Sequence, residues 1–171
     1  MPKANPRLKI LFIEDEPADV ELVEIKLMQE NFIFDSEIVD NRDDFLNALT
    51  NYSPDIVISD YMMPVFNGLE ALVLSKEANP DLPFIILTNS LNEETAVICL
   101  KAGATDYVLK SNLTKLPFSI KEAIDQVELK KSVKRAENDL KDNEEKYRNL
   151  VEISPEGIFI IQDKLIVFVN N

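Results

Sequence analysis

Ile10-Leu11-Phe12-Ile13-Glu14-Asp15-Glu16-Pro17 holds four apolar residues, then three acids, then a proline. An unbroken apolar run of this length predicts a strand buried on both faces, since a strand with one wet face alternates. Proline after Glu16 marks the first turn of a helix, and Val20, Val23 and Leu27 give that helix an apolar stripe at helical spacing. The unit recurs along the chain. Ile56-Val57-Ile58-Ser59 ends at Asp60, Phe84-Ile85-Ile86-Leu87 at Thr88, and Tyr107-Val108-Leu109 at Lys110.

Between these runs the sequence reads as helix. Residues 34–39 predict a weaker strand, and Asp43 or Asp44 then caps a short helix holding Phe45, Leu46 and Leu49. Strand 55–59 ends at Asp60, and Asn67-Gly68 leads into a helix over Leu69–Ala78 that Asn79-Pro80-Asp81 breaks. After strand 84–88, Ser90-Leu91-Asn92-Glu93 matches a capping box, and Gly103 suits the far end of that helix. Strand 105–109 follows, and Pro117 sits near the start of a long helix. Five strands alternating with five helices, joined by short right-handed crossovers, predict an α/β fold with a doubly wound five-stranded parallel sheet. In the flavodoxin-like order 2-1-3-4-5, ligands bind where the ends of the first and third strands meet. Those ends carry Glu14-Asp15 and Asp60.

The chain has 171 residues, enough for one average domain and a remainder. Its 18 basic and 31 acidic residues give a net charge of −13. The excess lies in residues 1–120, with 9 basic and 20 acidic residues, whereas residues 121–148 balance at 8 of each. So acidic a domain repels nucleic acid and anionic membrane and attracts cations or a basic partner. The expectation is therefore no nucleic-acid and no membrane partner. No apolar run approaches the ~20 residues of a membrane span. The N-terminus lacks the apolar stretch of a signal peptide, and the single Cys99 leaves no internal disulfide. Together these read as a cytoplasmic protein, with Cys99 a small buried hydrophobe. With no histidine, the chain carries no phosphohistidine, histidine triad or histidine metal site.

Three carboxylates, a hydroxyl and an ammonium thus converge on one rim. Two carboxylates about 4 Å apart repel by about 4 kcal/mol at an effective dielectric near 20. Three exceed what Lys110 alone offsets, so a proton or a cation must join them. A hard divalent ion with oxygen ligands answers, Mg²⁺ first. Such an ion neutralises charge on a transferring phosphoryl group, and a strand-end Asp can serve as nucleophile to form an acyl phosphate. Lys110 and Thr88 then supply an ammonium and a hydroxyl to the phosphate.

On these residues the chain closely resembles the receiver domain of two-component response regulators. The matching pieces are Ile10 through Pro17, Pro54 through Pro64, Gly68, Thr88, and Asp106-Tyr107-Val108-Leu109-Lys110. The resemblance implies Asp60 as phosphoacceptor and Mg²⁺ held by Asp15, Asp60 and the Met62 backbone carbonyl, with Glu14 assisting directly or through water. It implies Thr88 and Tyr107 as a switch pair and Lys110 as phosphate contact. A histidine kinase or phosphotransfer protein would be the donor, and no independent substrate turnover is expected. Three positions depart from the pattern. Glu14 stands where Asp is commoner, Asn89 follows Thr88 where a small residue is usual, and Ser111 follows Lys110 where a cis proline is usual. A trans peptide is expected there. Two other readings stand beside this one. A phosphate-ester hydrolase with an Asp nucleophile would usually carry a second acid two residues later, where this chain has Met62. The other reading is a receiver-like interaction module that works without phosphorylation.

Domain boundaries are expected at 6–125 for the receiver, 126–145 for a helical linker and 146–171 for the rest. In the long helix, Ile120, Ala123, Ile124 and Val127 form one stripe that can pack on the sheet. Leu129, Val133, Ala136, Leu140, Asn143, Tyr147 and Leu150 form a second, spaced alternately by four and three. That rhythm belongs to a coiled coil and a homodimer through this helix; the other reading is a solvated charged helix. Glu156 through Ile161 and Leu165 through Val169 predict a β-hairpin fragment. Glu145 through Ile158 resembles the opening of a PAS sensor domain, so the hairpin reads as the start of a longer domain.

Overall fold

The computed structural model describes residues 7–89, 93–152, 159–162 and 165–169. Its first unit alternates strand and helix in the expected sequence: β1 (Leu8–Ile13), α1 (Pro17–Gln29), β2 (Phe34–Val39), α2 (Arg42–Asn51), β3 (Ile56–Asp60), α3 (Gly68–Ala78), β4 (Phe84–Thr88), α4 (Glu93–Lys101) and β5 (Asp106–Leu109). A 3₁₀ turn over Lys110–Lys115 then leads into α5 (Leu116–Glu152). All five strands are parallel, in the order β2-β1-β3-β4-β5.

The apolar runs do what continuous burial requires. Alternate residues of each strand face opposite ways, and both faces are covered. On one face Leu11, Ile13, Val57, Phe84 and Ile86 pack with Phe45, Ala48, Leu72 and Cys99, drawn from α2, α3 and α4. On the other, Ile10, Phe12, Ile58, Ile85 and Val108 pack with Val20, Val23, Leu27, Ile120 and Ala123 of α1 and α5. Each valine, leucine, isoleucine or phenylalanine among them, taken from water, contributes about 1.5–3 kcal/mol before chain entropy is set against it. Cys99 is buried as expected, and burial pushes its thiol pKa up.

The helix starts follow local chemistry, with one correction. Pro17 occupies the first turn of α1, and Asn67 caps α3, its side chain accepting from the Glu70 amide. The cap of α2 is Asn41 rather than Asp43 or Asp44. Its Oδ1 accepts from the Asp44 amide at 3.0 Å, while Asp43 and Asp44 lie inside the first turn. Asn41 is extended and one residue before the helix, which a cap requires. Gly103 closes α4 at φ +103°, and the Gly103 amide donates to the Leu100 carbonyl. The capping box at 90–93 lies outside the described residues, apart from the start of α4 at Glu93.

The chain divides into two compact units after Val127. In the second, α5 continues to Glu152, so the expected boundaries at 125 and 145 both fall within one helix. Leu129, Val133, Leu140, Tyr147 and Leu150 on its second stripe are exposed. β6 (Phe159–Gln162) and β7 (Leu165–Val169) pair antiparallel, with an irregularity between Ile160 and Ile161. The hairpin is present; the remainder of the PAS-like stretch, 153–158, is outside the described residues. Among the described residues no helix is long and apolar enough to cross a membrane.

Candidate functional site

The sheet register brings the polar strand ends together. Ile13 pairs with Ser59, Asp60 with Leu87, and Thr88 with Leu109. Glu14, Asp60, Thr88 and Lys110 therefore stand at one carboxyl edge, as parallel strands of matched length demand. Tyr107 pairs with Ile86, two residues before Thr88. With a side-chain period of two, Tyr107 and Thr88 share a sheet face, the one packed by α2, α3 and α4.

Glu14, Asp15 and Asp60 each present a carboxylate oxygen, all within 4.8 Å of one another. Glu14 and Asp60 are buried and Asp15 is exposed. The Glu14 backbone amide donates to the Val39 carbonyl at 3.1 Å, and its side chain accepts from the Glu16 amide at 3.3 Å. Burial raises the Glu14 carboxyl above its usual range. Lys110 opposes that rise, and the Asp60 charge adds to it.

Lys110 is the cation of the cluster. Its ammonium donates to Glu14 Oε2 at 2.7 Å, Asp19 Oδ2 at 2.5 Å and Asp60 Oδ2 at 3.0 Å. Its side chain is 10% exposed. Burial alone would lower its pKa, but hydrogen bonds to Asp19, Glu14 and Asp60 outweigh that and raise it. Asp19, in the first turn of α1, was not among the residues singled out from the sequence. One signal pointed to it: an acid in the first turn after the proline, on the side of the helix entering from Glu14-Asp15.

The β3–α3 loop is pinned over Asp60 by its own hydrophobes. Phe66 is buried against Phe45, ring centres 5.5 Å apart, and Met63 joins the same core. Met62 and Val65, between and beside these anchors, are left exposed. The Met62 amide donates to Asp60 Oδ1 at 3.3 Å. Ser59 Oγ donates to the Asp60 carbonyl at 2.8 Å. Gly68 returns the loop so closely that a Cβ there would lie 2.4 Å from that same carbonyl oxygen. Its role is close approach. At the start of β5, Asp106 accepts from Ser119 at 2.5 Å and Lys115 at 2.8 Å, tying the strand to α5. No peptide among the described residues is cis, so Lys110–Ser111 is trans, as its sequence implies.

Chemically, this is an acidic rim with one immobilised ammonium, a buried carboxylate at a strand end and a hydroxyl on the neighbouring strand. Residues 10–136 match the family model of the response regulator receiver domain. The DNA-binding response regulator MtrA of Mycolicibacterium smegmatis is 31% identical over 121 residues, covering 71% of this chain and 49% of the relative. The alkaline phosphatase synthesis transcriptional regulatory protein SphR of Synechococcus elongatus is 30% identical over 135 residues, covering 72% and 48%. The chain thus spans about half the length of the curated relatives it matches. Since several of these are named DNA-binding regulators, the expectation of no nucleic-acid partner finds no support among them. Among solved structures, a receiver domain protein from Clostridium thermocellum superposes with a TM-score of 0.63 at 29% identity, covering 71% of this chain and 98% of that one. A CheY-like receiver domain protein from Methanospirillum hungatei gives 0.63 at 26% identity, covering 72% and 98%. With residues 10–136 matching the family model and the fold superposing on solved receiver domains, this chain belongs to the response regulator receiver domains of two-component signalling.

Proposed function

We propose that the chain accepts a phosphoryl group on Asp60 from a phosphohistidine of a partner kinase or phosphotransfer protein. The observation that carries this reading is the convergence of Asp60 with Glu14, Asp15 and the Lys110 ammonium on one rim. An Asp60 carboxylate oxygen bonds to phosphorus as the phosphorus–nitrogen bond of the donor breaks. The imidazole keeps that electron pair and an acyl phosphate results.

The donor set fits Mg²⁺: three hard carboxylate oxygens close together, one of them on exposed Asp15. Asp15 and Asp60 would hold the ion with the Met62 carbonyl, and Glu14 would assist. When bound, it supplies charge neutralisation on the transferring oxygens. Lys110 contacts the new phosphate and Thr88 donates its hydroxyl. The added charge of about −1.5 to −2 biases a two-state equilibrium that involves Tyr107 on the same sheet face. Asp106, bonded to Ser119, links β5 to α5, the route by which the change reaches the PAS-like region. The exposed four-and-three seam of α5 suits pairing with a second copy. Met62, standing where a hydrolase would carry its second acid, speaks against turnover of free phosphate esters.

The test is intact mass after incubation with acetyl phosphate, with and without Mg²⁺, on wild type and Asp60→Asn. One phosphoryl group gained only with Mg²⁺, and only in wild type, is the expected result. No gain under any condition would favour the phosphorylation-independent interaction module.

A further inference from the structure

Asp19 contacts Lys110 yet is not one of the three clustered carboxylates. A lysine ammonium has three N–H donors, and here they go to Glu14, Asp19 and Asp60. A phosphoryl oxygen arriving on Asp60 therefore meets a lysine whose donors are all committed. The three acceptors differ in how easily they let go. Glu14 is buried, and its other oxygen accepts from the Glu16 amide. Asp60 carries the incoming group and keeps its claim through the phosphoryl oxygens. Asp19 lies on another element, in the first turn of α1, and its side chain is 35% exposed, so water can replace its lysine contact. It is also the shortest of the three contacts, at 2.5 Å.

We propose that Asp19 is a positioning residue that competes with the phosphoryl group for the Lys110 ammonium, and so sets how fast the phosphorylated state forms. This rests on the phosphoacceptor reading of Asp60. In the resting protein Asp19 draws the ammonium toward α1. The phosphoryl group, with more charge and three acceptor oxygens, draws it back, and the Asp19 contact lengthens or breaks. Removing the Asp19 carboxylate leaves Lys110 shared between fewer acceptors and speeds the reaction.

The experiment follows phosphorylation of the full chain by acetyl phosphate with Mg²⁺, read by intact mass over time. In each turnover an Asp60 oxygen bonds to phosphorus, the phosphorus–oxygen bond to the acetyl group breaks, and acetate leaves with that electron pair. Asp19→Asn is expected to react about two- to fivefold faster, the worth of a part-exposed ion pair given up. Glu21→Gln removes an exposed charge from the same helix and is expected to match wild type, which separates direct contact from bulk charge. In a Lys110→Gln background the Asp19→Asn gain is expected to vanish, because the two residues share one contact. If that background reacts too slowly to follow, Asp19→Glu decides, and it is expected to return toward the wild-type rate. An Asp19→Asn rate equal to or below wild type overturns the inference. So does a gain that persists without Lys110, or an Asp19→Glu rate as fast as Asp19→Asn. A wild type that takes no phosphoryl group overturns the phosphoacceptor reading and this inference with it. A phosphorylated wild type with an unaltered Asp19→Asn rate overturns this inference alone.

Discussion

Replacing Gly68 by alanine tests whether the loop over Asp60 is held by close backbone approach. The new Cβ would lie 2.4 Å from the Asp60 carbonyl oxygen, 3.0 Å from Ser59 Oγ and 3.1 Å from the Tyr61 Cα. Carbon and carbonyl oxygen settle near 3.3 Å, so the two must part by about 0.9 Å. The obstacle is backbone in a central strand, which cannot rotate away as a flexible side chain would. Overpacking of this kind costs about 1–3 kcal/mol; because Gly68 is the first residue of α3 and not in its interior, the better helix propensity of alanine offsets only a small part of it. A net loss of about 1–2 kcal/mol is expected. Urea unfolding followed by circular dichroism should show the midpoint falling by about 0.5–1 M at an m-value near 2 kcal/mol/M. Because the displaced oxygen is Asp60's own, phosphorylation by acetyl phosphate should slow as well. Gly103→Ala is the control. Its φ of +103° makes alanine strained, but the nearest atom, Lys76 Cε, is 3.5 Å away and belongs to a flexible side chain. It should lose comparable stability and leave the chemistry of Asp60 unchanged. A Gly68→Ala unfolding free energy within about 0.3 kcal/mol of wild type, well under the expected overpacking cost, would refute the argument.

Addition of Mg²⁺ should raise the melting temperature, with about 2.7 kcal/mol gained at a hundredfold excess over Kd; Asp15→Asn should lose most of that gain, measured by thermal unfolding with and without chelator. Asp106 is pulled below the usual carboxylate range: burial alone would raise it, but hydrogen bonds from Lys115, Ser119 and the Tyr107 amide outweigh that. Its contribution is therefore complete above the unfolded pKa and is lost as pH falls through the lower folded value. Asp106→Asn should cost about 1–3 kcal/mol at pH 7, the gap closing only in acid below about pH 4; urea titrations across pH 3–7 would show whether it closes there. Asn41→Ala should cost about 1 kcal/mol by removing the α2 cap, whereas Asp43→Ala, at an exposed position that is not the cap, should cost less; unfolding midpoints compare them. If the α5 seam pairs two copies, Leu140→Glu should move the chain toward monomer in sedimentation equilibrium, and an unchanged mass would leave α5 a solvated helix.

The central strands were legible because a parallel sheet buried on both faces needs continuous apolar runs, which β1, β3 and β4 supply. The rim followed from the same runs, since whatever ends each strand must stand at the common edge. Glu14, Asp15, Asp60, Thr88 and Lys110 were therefore readable as a group. The α2 cap was misread because an acid pair drew attention from Asn41, although spacing to Asp44 suits Asn41 better. Tyr107 and Thr88 could be ordered along their strands, but their common face needed the register of β4 against β5.

What the sequence by itself determined is the set of elements, their parallel order and the chemistry of the rim, because these follow from local periodicity and from which residues end which run. Only the tertiary structure decided which groups touch. Asp19 reaches Lys110 across 91 residues of chain, and Gly68 lies against the Asp60 carbonyl because Phe66 is buried on Phe45. Both contacts depend on how helices settle onto the sheet, a matter of ångströms that packing sets and residue spacing does not.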